Sequence, residues 1–267
     1  MRVPLKLKFY YLLSRLIQKN KTPNFSMDSP REIRDGEEFA LETLKTYLLE
    51  NNINADDLSI KQFPSGYSNL TYFLKSSSEE FVLRRPPFGA KSLQGGHDMF
   101  REYNVLKNLK SQFLKVPDVY LYCDNSEIIG APFYLMERVK GYIIRPNLQQ
   151  KDSPGKEVIQ NVSKSLVSTL VELHNVDIDQ ANLNELGNIN GYVKRQVEGW
   201  IKRYNHSKTD SIENMEFIAS WLDENQPLEV QGSIVHNDFK YDNLVLDKDN
   251  HSKITAVLDW EMATIGD

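Results

Sequence analysis

One short stretch of the chain places several chemically capable side chains at fixed spacing. It reads His236-Asn-Asp238-Phe-Lys240-Tyr-Asp-Asn243. The carboxylate of Asp238 can orient and deprotonate a hydroxyl group, and the amide oxygen of Asn243 can bind a hard cation. A second acidic side chain, Asp259, follows an apolar run at residues 256–258.

The residues between Asn243 and Asp259 have the pattern of a β-hairpin. Residues 244–246 are apolar, residues 247–253 are rich in turn-forming side chains, and residues 254–258 are β-branched or apolar. Antiparallel pairing places the residue before the first strand beside the residue after the second. Asn243 and Asp259 are therefore predicted to meet, where their oxygens suit Mg²⁺ with waters and phosphate oxygens completing its shell.

Length, charge and cysteine content narrow the class of protein. The 267 residues are enough for one large domain or two lobes. The formal net charge is −5 and there is no long run of Lys or Arg, so nucleic acid is not expected as a partner. The one cysteine, Cys123, cannot form an internal disulfide, which favours a reducing, cytoplasmic setting.

The first 26 residues (1–26) differ from the rest of the chain. Apolar residues recur at helical spacing from Leu5 to Leu16 among basic residues, the pattern of a basic amphipathic helix. The longest uncharged apolar run, residues 9–13, is far shorter than the roughly 20 residues that cross a bilayer, so no transmembrane segment is predicted. We interpret the segment as a leader or as sequence upstream of a start at Met27, with membrane attachment as the alternative.

Short β-prone runs and helical patterns occupy residues 27–137, which are predicted to form a first lobe. The segment from Met136 to Gly141 then leads out of the sheet as a hinge should. An antiparallel sheet with supporting helices is expected. The predicted strands lie at residues 58–63, 71–75, 81–84, 119–123 and 132–136, and the predicted helices at residues 34–51 and 97–110.

The connection between the first two predicted strands contains a glycine, hydroxyl side chains and an asparagine. Such a loop lets backbone N–H groups approach phosphate oxygens, although Pro-Ser-Gly is also typical of a plain hairpin turn. Its position before the arginine-ending third strand favours phosphate binding. The loop residues are Ser65, Gly66, Tyr67, Ser68 and Asn69.

Helical patterns dominate the second half of the chain, residues 138–267. The first predicted helix is opened by Ser153-Pro154, a good N-cap and first-turn pair. Trp200, Tyr204 and Trp221 could line a substrate pocket, but at helical spacing internal packing is the preferred interpretation. The predicted helices lie at residues 154–175, 192–204 and 211–225.

Seven segments occur in the order found in a known enzyme family. They are Pro64-Ser-Gly-Tyr-Ser-Asn-Leu-Thr71, Phe81-Val-Leu-Arg-Arg-Pro-Pro87, Glu102, Phe133-Tyr-Leu-Met-Glu137, Leu170-Val-Glu-Leu-His174, His236-Asn-Asp238 and Leu258-Asp-Trp-Glu261. From about Arg34 onward the chain thus resembles the aminoglycoside phosphotransferase family and, more narrowly, the kinase-like domains fused to or found beside certain acyl-CoA dehydrogenases. The resemblance implies an α+β, two-lobed, protein-kinase-like fold, ATP with Mg²⁺, and phosphoryl transfer to a small-molecule hydroxyl. For the narrower group it implies a hydroxyacyl-CoA or a hydroxy acid as acceptor.

The resemblance also implies roles for the residues of the catalytic loop and hairpin. Asp238 would be the catalytic base or orienting carboxylate, and Lys240 would contact the γ-phosphate. His236 would brace the loop rather than transfer protons. Asn243 and Asp259 would be the metal ligands.

A second group of residues would hold the nucleotide. Adjacent strand residues point to opposite faces of a sheet, and of the two neighbouring arginines we select Arg84 as the one that contacts phosphates. Its partner would be Glu102 on the following helix. Met136 and Glu137 at the hinge would also contact the nucleotide, and the loop from Ser65 to Asn69 would cover its phosphates.

Three departures from the family pattern bear on this interpretation. Arg84 stands in place of the kinase Lys, although Arg fits the narrower group and can grip phosphate through two hydrogen bonds. Residue 237 is Asn where the family usually has Gly, and Asn fits best there in a left-handed conformation that it tolerates comparatively well. The family's second lobe continues through further helices, so the lobe at residues 138–267 is expected to be truncated, with apolar surface that a partner chain or a missing C-terminal segment would cover. An inactive pseudokinase or nucleotide-binding module is therefore the alternative to an active kinase.

Overall fold

The computed structural model describes residues 29–64, 68–89, 97–145, 155–228 and 231–267. In these residues an antiparallel five-stranded sheet with helices is followed by a mainly helical half, so the predicted α+β class is confirmed. The predicted leader, residues 1–26, lies outside the described residues. No helix among the described residues is long and apolar enough to cross a membrane.

The sheet of the first lobe is a meander of three strands extended by two more. Each of the five predicted strands is present, and strand 119–123 has the predicted bounds. The order across the sheet is β1-β2-β3-β5-β4, and every neighbouring pair is antiparallel. The strands are β1 (Ser59–Gln62), β2 (Leu70–Lys75), β3 (Glu80–Arg85), β4 (Val119–Cys123) and β5 (Phe133–Glu137).

The two faces of this sheet bury different side chains. Leu83 belongs to a core that includes helix α1 (Leu41–Glu50). Val82, one residue earlier, belongs to a second core that continues into the other lobe. Because alternate strand residues point to opposite faces, Arg84 shares the face of Val82 and Arg85 shares the face of Leu83. The alternation therefore directs only one of the two arginines towards the second lobe.

Helix α2 (Met99–Leu109) connects the sheet to the second lobe. The Asp98 side chain caps it by accepting a 2.9 Å hydrogen bond from the Arg101 N–H. The helix contacts β4 and β5 on one side and the short 3₁₀ turn Trp260–Met262 on another. Its buried residues are apolar except for Glu102, which therefore needs a charged or polar partner.

The second lobe packs its longest helix against two small antiparallel strand pairs. One pair is the predicted hairpin, and the other joins Ser233–Val235 to Thr264–Gly266 and was not predicted. A helix of one short turn in the first lobe, Ser126–Ile129, was not predicted either. The elements are α3 (Ser126–Ile129), α4 (Lys156–His174), α5 (Tyr192–Ser207), α6 (Glu213–Glu224), β6 (Ser233–Val235), β7 (Leu244–Leu246), β8 (Ile254–Val257) and β9 (Thr264–Gly266).

Two predicted helix starts differ from the structure. Helix α1 begins at Leu41 rather than at residue 34, because Gly36 adopts a left-handed conformation, with φ of 82°. The carbonyl of Glu37 is also taken by the Tyr72 hydroxyl at 2.7 Å. Helix α4 begins at Lys156 with Gly155 as its N-cap, whereas the predicted Ser153-Pro154 cap lies outside the described residues.

The expected internal packing of two tryptophans was wrong. Helices α5 and α6 bury none of their residues fully, and Trp200 and Trp221 are 64% and 51% exposed. Trp200 instead lies under the Arg203 guanidinium, 4.8 Å from the ring centroid. Helical spacing shows that side chains share a face but not that another element covers that face.

The close packing of the hinge against the hairpin can be tested at Gly141. Residues 142 and 246 pair through two hydrogen bonds, and a Cβ on Gly141 would collide with the Leu246 carbonyl and Val245. We expect Gly141→Ala to lower the free energy of unfolding by roughly 1–3 kcal/mol in urea denaturation. Gly199→Ala is the control, because a Cβ there meets only the end of the Arg203 side chain inside a helix. It should stabilise by up to about 1 kcal/mol, and equal effects of the two variants would contradict the packing at the hinge.

Candidate active site

His236 anchors the loop between β6 and β7 to the end of the hairpin. Its side chain is buried, its Nε2 lies 3.0 Å from the Leu258 carbonyl, and its Nδ1 accepts a 3.2 Å hydrogen bond from the Asp238 N–H. An imidazole that donates at Nε2 and accepts at Nδ1 is neutral. Burial also lowers the pKa of His236, which favours the neutral form. This geometry suits the predicted bracing role.

The loop brings the three remaining predicted residues together. The Asn243 Nδ2 donates to the Asp238 carbonyl and to the Asp238 carboxylate, each at 2.9 Å. The Lys240 ammonium lies 2.8 Å from the same carboxylate oxygen, Oδ2. Asp238 is thus held in a defined orientation by one amide and one cation.

The predicted meeting of Asn243 and Asp259 rests on the hairpin. The Leu258 N–H donates to the Asn243 carbonyl at 2.8 Å, and both predicted metal ligands line the same pocket. The amide nitrogen of Asn243 is used for Asp238, which leaves the amide oxygen for a cation. Among the described residues there is no group of three or more His, Cys, Asp or Glu side chains that could hold a metal ion alone. The donor set therefore fits Mg²⁺ that takes its other ligands from water and nucleotide phosphates.

Arg84 joins both lobes at the inner end of the pocket. Its guanidinium donates to Glu102 at 2.9 Å, as predicted, and to Asp259 at 3.1 and 3.2 Å. It also lies 3.4 Å from Glu261. Arg85 points to the opposite face, where it donates to the Ile129 carbonyl at 2.6 Å. The choice of Arg84 over Arg85 agrees with this placement.

The Arg84–Glu102 pair is buried in both its members. Burial raises the pKa of the Glu102 carboxyl above its ordinary value, and the charge of Arg84 offsets part of this shift. Burial opposes the charge of Arg84 as well, but attraction to Glu102 raises its pKa overall. Glu102 therefore depends on the Arg84 charge to remain ionised, and Arg84 depends on Glu102 to offset the cost of burying its charge.

Glu261 is a site residue that the prediction missed. The Asn69 Nδ2 donates to its Oε2 at 2.7 Å, and the Asn69 Oδ1 lies 2.9 Å from the His97 Nδ1. Burial raises the pKa of Glu261. Its position two residues after Asp259 was the one sequence feature that could have pointed to a role in the site. It was missed because its partners, Asn69 and Arg84, lie more than 150 residues away in sequence.

A pocket of about 750 Å³ opens between the lobes and collects most of the predicted site. Glu102 and His236 are not among its lining residues. They contact residues that are, since Glu102 accepts from Arg84 and His236 bonds the Leu258 carbonyl. The predicted loop residues Ser65, Gly66 and Tyr67 lie outside the described residues. The predicted residues that line the pocket are Ser68, Asn69, Arg84, Met136, Glu137, Asp238, Lys240, Asn243 and Asp259.

A sheet-based lobe, a hinge, a buried Arg–Glu pair and a His-x-Asp loop in one cleft define a kinase-like phosphotransferase fold. The model of the Phosphotransferase enzyme family matches residues 59–267, and the chain belongs to this family. The resemblance to aminoglycoside phosphotransferases is thereby confirmed.

Curated relatives share the sequence over most of this chain. Acyl-CoA dehydrogenase family member 11 of Rattus norvegicus is 39% identical over 241 residues, which cover 88% of this chain and 30% of that protein. Acyl-CoA dehydrogenase family member 10 of Mus musculus is 33% identical over 247 residues, which cover 91% of this chain and 23% of that protein. The chain thus spans less than a third of the length of these relatives.

Solved structures share the fold. A Ralstonia eutropha protein assigned to the aminoglycoside phosphotransferases has a TM-score of 0.73 and 30% identity, over 86% of this chain and 67% of that one. The GDP and kanamycin complex of APH(2″)-IIIa has a TM-score of 0.64 and 15% identity, over 85% of this chain and 75% of that one. The second similarity concerns the fold alone.

The buried pair generates a test that separates stability from binding. We expect Arg84→Met to cost about 3–5 kcal/mol in unfolding free energy, because Glu102 is left buried without its cation. The pKa of Glu102 is raised from its ordinary value of 4.5, so the native state binds this proton more tightly than the unfolded state. Loss of the Arg84 charge, which lowers this pKa, should raise it further, so the stability of Arg84→Met should increase as the pH falls towards 4.5, and by more than that of the wild type.

The double variant Arg84→Met/Glu102→Leu is the matched control, because it removes both buried charges. It should recover most of the stability lost in Arg84→Met, since an apolar pair can replace a buried ion pair without loss. It should not recover nucleotide binding. Denaturation and calorimetric titration with a nucleotide measure the two effects, and recovery of both together would contradict a role of Arg84 in the site.

Proposed function

We propose that this chain transfers the γ-phosphoryl group of ATP to a hydroxyl group of a small metabolite in a Mg²⁺-dependent reaction. One observation carries the proposal: a single pocket is lined by Asp238, Asn243 and Asp259 from the second lobe and by Arg84 from the first. Phosphoryl transfer requires just these groups, a carboxylate for the acceptor, oxygen ligands for the metal and a cation for the phosphates.

Asp238 would orient the acceptor hydroxyl and accept its proton. The bond from Asn243 holds the carboxylate, and the bond from the Asp238 N–H to His236 holds the loop backbone, so that little entropy is lost when the acceptor binds. Lys240 pairs with the same carboxylate. We propose that it turns to the γ-phosphate when nucleotide is present, which would release the carboxylate for the acceptor.

Asn243 and Asp259 would hold Mg²⁺, which supplies charge neutralisation and orientation for the phosphates. Arg84 offers a planar guanidinium that can grip phosphate oxygens while Glu102 fixes its position. Met136 and Glu137 line the pocket where the hinge begins and would contact the nucleotide. Related solved structures contain GDP, ADP or AMP-PNP, which supports a nucleotide in this cleft.

The acceptor is proposed to be a hydroxyacyl-CoA or a related hydroxy acid. The support is the similarity to proteins described as acyl-CoA dehydrogenase family members, because an enzyme beside such an activity would meet acyl-CoA metabolites. We propose a cytoplasmic setting on the cysteine argument alone.

We also propose that another polypeptide segment, from a partner chain or from the same protein, covers helix α6. Phe217 and Trp221 on this helix are 69% and 51% exposed, and the helix buries none of its residues fully. Exposed apolar side chains grouped in this way mark contact surfaces. Sedimentation and activity measurements on the isolated chain test this, and a soluble, cooperatively unfolding and fully active monomer would contradict it.

Replacing the proposed base distinguishes an enzyme from a nucleotide-binding module. Asp238→Asn should lower phosphorylation of the best acceptor in a panel of hydroxy acids and hydroxyacyl-CoAs by about 10²–10⁴-fold, because the amide cannot accept the proton. Calorimetric affinity for ATP with Mg²⁺ should stay within a few fold of the wild type. Asp249→Asn, in the exposed turn of the hairpin, is the control and should leave turnover unchanged. Mg²⁺-dependent ATP binding by the wild type without turnover of any acceptor would favour the inactive alternative.

A further inference from the structure

The backbone after Asp259 is held by side chains from two other parts of the chain. Arg101 on helix α2 donates to the carbonyl of residue 261 at 3.1 Å and also to that of residue 263. The Asn237 Nδ2 donates to the carbonyl between them, on residue 262, at 3.0 Å. Each of three consecutive carbonyls, 261–263, thus accepts a hydrogen bond from a distant side chain.

Every hydrogen bond that the Arg101 guanidinium donates within the described residues goes to a backbone carbonyl. Burial lowers the pKa of Arg101, and the charge of Asp98 offsets part of this shift. Its third contact is again a carbonyl, that of Leu186 at 3.2 Å. Contacts with several carbonyls need the planar, five-donor guanidinium, which a lysine ammonium cannot reproduce.

Asn237 holds a backbone conformation that favours glycine, with φ of 64°. The left-handed conformation expected from the sequence is therefore present. Glycine would adopt it at lower cost, so the side chain needs a reason of its own. Its hydrogen bond to the carbonyl of residue 262 supplies that reason, and it ties the residue next to Asp238 to the segment that follows Asp259.

The segment 261–263 follows Asp259 after a sharp change in backbone direction. Asp259 is itself left-handed, with φ of 69° and ψ of 62°, and leads directly into the 3₁₀ turn. Trp260 fixes one side of that turn in the core, where its Nε1 donates to the Val257 carbonyl at 2.9 Å. The carbonyls of residues 261–263 lie beyond this anchor and accept the hydrogen bonds of Arg101 and Asn237.

We propose that Arg101 and Asn237 are positioning residues that form a backbone clamp on residues 261–263. The clamp sets the Asp259 carboxylate at a fixed place relative to the Asp238 loop and to helix α2, whose Glu102 holds Arg84. It acts on the metal-binding geometry through the backbone and touches neither metal nor nucleotide. The inference rests on the proposed Mg²⁺–nucleotide site.

Asn237→Gly separates a positioning role from a structural one. Glycine removes the clamp bond but relieves the left-handed conformation, so the melting temperature should be unchanged or higher. The Mg²⁺ concentration for half-maximal AMP-PNP binding, measured by calorimetry on the full chain, should rise about 10- to 100-fold, as when a group that supports a metal ligand is lost. The control is Asn52→Gly, which relieves a φ of 60° in an exposed turn outside the pocket and should leave this concentration unchanged.

Arg101→Lys tests the other half of the clamp and keeps the charge. It should raise the same Mg²⁺ concentration about 10-fold, because one ammonium cannot bond carbonyls 261 and 263 in the same way. Arg195→Lys is the matched control: Arg195 also donates to two carbonyls, those of residues 188 and 190, but on an exposed surface away from the pocket. It should leave the Mg²⁺ dependence unchanged.

The outcomes separate the clamp from the proposed function. The clamp is supported if the wild type binds AMP-PNP with Mg²⁺ and Asn237→Gly needs a higher Mg²⁺ concentration at undiminished stability. If Asn237→Gly and Arg101→Lys bind AMP-PNP with the same Mg²⁺ dependence as the wild type, the clamp is overturned and the proposed function stands. Absence of Mg²⁺-dependent binding in the wild type overturns the proposed function and the clamp with it. Should Arg101→Lys fail to fold, the Asn237→Gly comparison decides alone.

Discussion

The candidate site depends on the ion pairs that one buried guanidinium, that of Arg84, makes with Glu102 and Asp259. The guanidinium bonds Glu102 from helix α2 and Asp259 from the end of the hairpin, so it links a strand, a helix and the second lobe at one point. A buried cation is costly unless its partners are well placed. Here one partner, Asp259, is a proposed metal ligand and the other, Glu102, fixes the position of Arg84. The sheet, α2 and the second lobe are thereby held together at the pocket.

The backbone of the second lobe carries the complementary constraint. Asn237 and Asp259 both adopt left-handed conformations that non-glycine residues rarely use; Asp259 lines the pocket and Asn237 precedes Asp238, which also lines it. Hydrogen bonds from the Asn237 amide and from the buried His236 to backbone carbonyls hold these turns in place. Strain of this kind persists only where the surroundings determine the conformation, which is consistent with a site organised before ligand binds.

Sequence reasoning succeeded where a periodic rule applied and failed where distant segments meet. Strand alternation showed that Arg84 and Arg85 face opposite sides of the sheet, and hairpin pairing indicated that Asn243 and Asp259 share one pocket. The contacts of Arg101 were not predictable, because its acceptors are backbone carbonyls more than 80 residues away in sequence. The exposed Trp221 shows the same limit, since helical spacing alone does not reveal which apolar face another element covers.

The most direct test of the account is a crystal structure of the chain with AMP-PNP and Mg²⁺. The account predicts Mg²⁺ bound by the Asn243 amide oxygen and the Asp259 carboxylate, with phosphate oxygens in contact with Arg84 and with the Asp238 carboxylate facing the γ-phosphate. A nucleotide bound outside this pocket, or a metal ion bound without Asn243 and Asp259, would contradict it.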